Sequence, residues 1–111
     1  MSEITWNDFE KIDMRVGTIV SVSPFPKARK PAYKLIIDFG ETIGKRTSSA
    51  QITRKYTSEM LVGKQVIAVI NFPRKQIADF MSECLVLGAV DGEDVFLLAP
   101  ERPVSNGLRI S

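Results

Sequence analysis

The sequence contains no histidine and a single cysteine, Cys84, and none of its apolar runs approaches the roughly 20 residues needed to cross a bilayer. Each absence closes a class of function. Without histidine the commonest general base and the commonest metal ligand are both missing. Ser48, Ser49, Ser82 and Cys84 therefore have no imidazole to activate them. One cysteine permits no disulfide within the chain, and its place in the apolar run CLVLGAV is that of a small buried hydrophobe. There is no glycine-rich phosphate loop and no zinc or calcium ligand spacing. No enzymatic activity, metal or cofactor is expected. The opening MSEITWNDFEKID is acidic and amphipathic, without the basic start and apolar middle of a signal peptide, which points to the cytoplasm.

What is present is a globular composition. The 111 residues are 44% hydrophobic and 25% charged, enough for one domain with its own core, spanning 1–111, and too few for two. The net charge of +2 conceals a strong asymmetry. Residues 14–78 hold twelve Lys and Arg against three acids, whereas the rest holds three against ten. Four of those cations crowd the stretch FPKARKPAYKLIIDFG: Lys27, Arg29, Lys30 and Lys34. Clustered cations of this kind suit a phosphate backbone, if they converge in space; scattered, they are only a solvated surface.

Periodicity gives a mainly β chain. Ile4 to Ile12 reads as a short helix, with Thr5 and Asp8 at capping-box positions and Ile4 and Phe9 at staple spacing. RVGTIVSVSPFP alternates as a strand from Arg15, with Gly17 marking a bulge or bend. Pro26 and Pro31 bracket a basic loop before the strand YKLIIDFG, in which Tyr33, Leu35 and Ile37 share one face and Lys34, Ile36 and Asp38 the other. KRTSSAQI is a polar third strand, Thr53 to Leu61 a helical connection ended by Gly63, and KQVIAVINF the most apolar strand. PRKQIADF then reads as a basic loop, and SECLVLGAV and DVFLLAP as two strands joined at Asp91-Gly92-Glu93. About six strands with a helix between the third and fourth match an all-β Greek-key barrel of the OB type. An SH3-like barrel or a small sandwich fits less well. Side chains fill so small a barrel, so a ligand must bind outside it.

The order of blocks resembles the tRNA-binding domain family, which occurs as free-standing bacterial proteins and as an appendage of methionyl-tRNA synthetases. The matching residues are DMRVGTIV, Lys34 and Leu35, Arg46, YTSEMLVGKQV, Asn71 with Arg74 and Lys75, and Ser82. KPAYKLIIDFG, SSAQIT and NFPRKQIADFMSE resemble its secretion-associated chaperone branch. The resemblance implies an OB-fold homodimer that binds unfolded or presecretory polypeptides in protein export, with tRNA binding as the domain's inherited activity. The clients expected are apolar segments, positively charged or neutral. A dedicated tRNA-binding protein acting in translation is the alternative. Where RNA-binding branches have Ser-Gly, this chain has Ala50-Gln51; where they have Ser-x-Gly-Met, it has Ser82-Glu83-Cys84-Leu85. Both departures weaken the RNA reading, the second by removing a glycine that lets a nucleotide approach the backbone.

On that resemblance the RNA contacts are Lys27, Arg29, Lys30, Lys34, Arg46, Asn71, Arg74, Lys75 and Ser82, as a cationic groove tracking a phosphate backbone. Asn71 could equally satisfy a local turn and Ser82 cap a strand. Phe72, Ile77, Phe80 and Met81 are the candidates for an apolar peptide groove, with a core role as the alternative for each. Trp6 and the tail PVSNGLRI are expected to dock a second subunit.

Overall fold

The computed structural model describes residues 2–111. Helix α1, Trp6–Glu10, starts at a complete capping box: the Thr5 hydroxyl accepts the Asp8 N–H and the Asp8 carboxylate accepts the Thr5 N–H, both at 3.1 Å. The strands follow as β1 (Met14–Pro24), β2 (Tyr33–Asp38) and β3 (Lys45–Ala50), then helix α2 (Ser58–Leu61) and β4 (Gln65–Val69). Five short strands complete the chain: β5 (Lys75–Ile77), β6 (Phe80–Ser82), β7 (Leu85–Val86), β8 (Gly88–Asp91) and β9 (Asp94–Leu97).

One antiparallel sheet in the order β3-β2-β1-β4-β7 curls until its ends nearly meet, while β5-β6 and β8-β9 form separate hairpins. Curling is completed by a few bonds: the Glu83 N–H donates to the Thr47 carbonyl at 2.8 Å and the Ser48 hydroxyl to the Cys84 carbonyl at 2.9 Å. The result is the small OB-type barrel, nearly closed. Its core is Ile19, Leu35, Ile37, Phe39, Leu61, Val66 and Ala68, all but absent from the surface. Each large member adds about 1.5–3 kcal/mol by leaving water.

Strand β1 organises the barrel because it pairs along its whole length, with β4 at one end and β2 at the other. Residues 14–18 pair with β4 on one side, and residues 18–24 with β2 on the other. Beside residues 14–16 the gap left by β2 is filled by the tail: Gly107 donates to Val16 at 2.7 Å, Val16 to Leu108 at 3.0 Å and Ile110 to Met14 at 2.9 Å. The bulge expected at Gly17 lies instead at Val20, between the pairs Ile19–Ile37 and Ser21–Ile36. Gly17 has another duty, since a β-carbon there would stand 2.6 Å from Ile37 and 2.7 Å from the Phe39 ring. Its bare backbone makes room for the central aromatic.

The late segments also depart from expectation. PRKQIADF contains a hairpin, with Ile77 facing Phe80 across the two-residue turn Ala78-Asp79, so it is not a loop. SECLVLGAV is not one strand but contributes to β6, β7 and β8 in turn. The turn at Asp91-Gly92-Glu93 is as expected, Asp91 pairing with Asp94 and Gly92 holding φ +61°.

Candidate binding groove

The basic loop is an excursion pinned at both ends. Phe25 and Ala32 are buried and joined by a Phe25 N–H to Ala32 carbonyl bond of 3.3 Å, and Pro26 and Pro31 cannot extend the ladder inward. Residues 27–30 are thereby pushed outward, and they form one wall of a groove of about 1070 Å³. That is near the upper limit of ordinary ligand pockets, roughly 300–1,000 Å³. The opposite wall is the β5-β6 hairpin with Lys75, Ile77 and Ser82, and the floor is laid by Ala50, Ile52, Val86, Val95 and Leu97. An apolar floor between cationic walls is what results.

Among the described residues, Arg29, Lys30 and Lys75 make no ion pair, so their charge is free for a ligand. Lys27 donates to Asp79 at 3.0 Å, across the gap between loop and hairpin. That hydrogen bond holds the Asp79 carboxyl below its usual range. Lys34 projects from β2 as expected, but its ammonium lies over two rings, Phe25 at 4.8 Å and Phe80 at 5.3 Å. The rings themselves meet edge to face at 5.5 Å.

The remaining candidates are dispersed. Arg46 and Arg74 line a second, smaller concavity of about 420 Å³ with Lys45, Phe72 and Glu83. Arg46 donates to the Ile70 carbonyl at 2.7 Å, and Arg74 lies 3.5 Å from Glu83. Asn71 binds backbone: its amide nitrogen donates to the Lys11 carbonyl at 2.6 Å and its oxygen accepts the Asp13 N–H at 3.0 Å. The amide thus ties the end of α1 to the barrel. Of the four apolar candidates, Ile77 lines the main groove, Phe80 packs on Phe25, Phe72 borders the smaller concavity and Met81 lines neither.

Cys84 belongs to the core, where burial pushes its thiol up to about 11. Its side chain is spent on packing. Sequence reasoning missed the groove floor altogether, because Ala50, Ile52, Val86 and Leu97 read as strand interior. Gln51 also lines the groove, at the very position where the chain departs from the Ser-Gly of RNA-binding branches.

Residues 14–109 match the family model described as "Putative tRNA binding domain". Chaperone CsaA of Picrophilus torridus is 56% identical with a TM-score of 0.93, covering 98% of this chain and 100% of that one. Chaperone CsaA of Bacillus anthracis is 48% identical with a TM-score of 0.94, covering 99% and 100%. Among curated sequences, methionine–tRNA ligase of Pyrococcus horikoshii is 36% identical over 110 residues, 99% of this chain. The chain spans only 15% of that ligase's length.

Proposed function

Because the chain belongs to the tRNA-binding domain family, in the branch of the CsaA chaperones, we propose that it is a non-enzymatic binding protein that holds unfolded or presecretory polypeptides during export. It works as a homodimer in the cytoplasm and retains tRNA binding. The observation that carries this reading is the groove itself: an apolar floor of Ala50, Ile52, Val86 and Leu97 under the cations Arg29, Lys30 and Lys75. The floor suits apolar side chains of a client and the walls suit anionic groups. Those walls repel cations, so of the positively charged or neutral clients expected from the sequence the groove favours the neutral ones, and it also suits acidic segments. Two such grooves on a dimer raise avidity without new contacts.

No chemistry is assigned to the chain. Its one thiol is buried and held protonated, and no histidine is available as a base.

A second reading, a dedicated tRNA-binding protein acting in translation, is favoured by the match to methionine–tRNA ligase over nearly the whole chain. One experiment separates the two. Suppression of aggregation of a chemically unfolded client and retention of tRNA are measured in parallel at ~50 and ~200 mM salt. Phosphate binding falls steeply with salt, by log-log slopes near the number of contacts, whereas apolar holding hardly responds. Client holding at both salts supports the chaperone; tRNA retention at low salt with no client holding overturns it.

A further inference from the structure

Where the barrel fails to close, two strand edges face the groove with their main chains unpaired. Strand β3 and the segment after Glu83 meet at Thr47, whose carbonyl accepts the Glu83 N–H and whose N–H donates to the Glu83 carboxylate at 3.0 Å. Thr47 therefore directs its backbone away from β2, and by the two-residue repeat of a strand so does Ser49. On the other side of the seam, Leu87 donates to Ile67 of β4 at 2.9 Å, so its neighbour Val86 faces away from β4. The Cys84 carbonyl faces the same way, since it takes the Ser48 hydroxyl. Beyond Ser48 and Cys84 the bonding stops: Ser49 and Val86 stand at the non-bonded positions of their ladders with β2 and β4, and among the described residues their N–H and C=O make no bond to any other segment. Both residues line the groove.

We propose that the groove takes its polypeptide as an added β-strand, lying in this seam and hydrogen-bonding through its own main chain to Ser49 and Val86. The inference rests on the polypeptide-holding function above and specifies its mode. Open strand edges are templates for another chain, and main-chain bonding is indifferent to sequence, as a binder of many clients requires. Side chains of the added strand alternate between the floor of Ala50, Ile52, Val86 and Leu97 and the cationic walls. The segment selected is extended, free of proline, apolar on one face and neutral or acidic on the other. Nucleic acid, lacking a peptide main chain, has no use for this pairing.

The test uses the full chain and a synthetic peptide of about eight residues, the length of an ordinary strand, alternating valine with serine and glutamate. A second version carries N-methyl groups on alternate backbone nitrogens, which removes donors and keeps every side chain. On binding of the first peptide, amide exchange at Ser49 and Val86 is expected to slow about tenfold or more. The methylated peptide is expected to bind about tenfold more weakly, as the loss of one or two main-chain bonds implies. Unchanged exchange at both amides, or equal affinity of the two peptides, overturns strand addition. If the peptide fails to bind while an unfolded client is still kept from aggregating, the inference falls and the chaperone reading stands; if neither occurs, both fall. Protection of these amides by a short oligonucleotide and not by the peptide also overturns it.

Discussion

The ammonium of Lys34 stands 5.3 Å from the centre of the Phe80 ring, joining β2 to the β5-β6 hairpin that forms one wall of the groove. A cation over a ring contributes about 0.5–1 kcal/mol at a partly exposed site. Lys34 is thus a brace before it is a ligand contact. Lys34→Met and Phe80→Leu, made singly and together, are expected to show a coupling of about 0.5–1 kcal/mol in urea unfolding. Strict additivity of the two would show the brace to be idle.

Because Lys34 is engaged, the clean probe of polyanion binding is Arg29→Glu with Lys30→Glu, neither of which breaks an ion pair. The double variant is expected to lower tRNA affinity and to reduce the log-log salt slope by about two, one per lost phosphate contact. Suppression of aggregation is expected to survive for a neutral client, which the apolar floor holds, and to weaken for an acidic one, which these cations attract. Filter binding across a salt series reads the slope, and an unchanged slope removes these side chains from the RNA contact.

The barrel was legible from the sequence where residues alternate cleanly, as in YKLIIDFG, whose buried Leu35 and Ile37 face inward while Ile36 is partly exposed. Helix α1 was legible from its capping box; α2 was expected from Thr53 but starts at Ser58, where Thr57 caps it. The hairpin in PRKQIADF was not, because its three-residue strands are too short to establish a period and their turn carries no glycine. Pairing of the tail with β1 was equally invisible, since it rests on backbone bonds that PVSNGLRI does not advertise. For the site, the sequence identified the cationic wall but not what those cations surround. The groove floor arises only when β3, β7 and β9 are brought together.

That glycine-free turn carries strain. Ala78 holds φ +51°, a left-handed conformation that costs a side chain about 1 kcal/mol or more. Ala78→Gly is expected to stabilise the chain by up to about 1 kcal/mol, the relief being partly offset by the greater freedom of glycine when unfolded. The midpoint of urea unfolding checks it. A destabilised variant would mean that the Ala78 methyl makes contacts worth more than the strain.

Acid should loosen the closure of the barrel through Glu83. Its carboxyl is held below the ordinary value of 4.5, first by the Thr47 N–H, then by the Thr47 hydroxyl and by Arg74 and Arg46, against the cost of burial. A lowered value in the folded state means that the stabilisation is complete above pH ~4.5, where the unfolded chain is also ionised, and is lost as pH falls through the folded value. Glu83→Gln is expected to lower stability at neutral pH and to flatten the acid limb of stability against pH. Parallel acid limbs in variant and parent would show that Glu83 contributes nothing to acid unfolding.

The two terminal segments divide the question of assembly. The tail is bound within its own chain: besides its ladder with Met14 and Val16, Gly107 holds φ +91°, and a β-carbon there would stand 2.6 Å from the Phe39 carbonyl. Removing residues after Pro103 therefore strips an edge of β1, and the expected result is a less stable chain, not a well-folded monomer. Trp6 is the better probe. It is 81% exposed on α1, so a substitution there leaves the fold of the single chain almost untouched. An indole so placed is costly to leave in water and is a natural anchor for a second copy. Trp6→Glu is expected to give monomers by light scattering with little change in thermal unfolding at matched low concentration. A dimer of undiminished strength would remove Trp6 from the interface, and a parent chain that is already monomeric would remove the dimer.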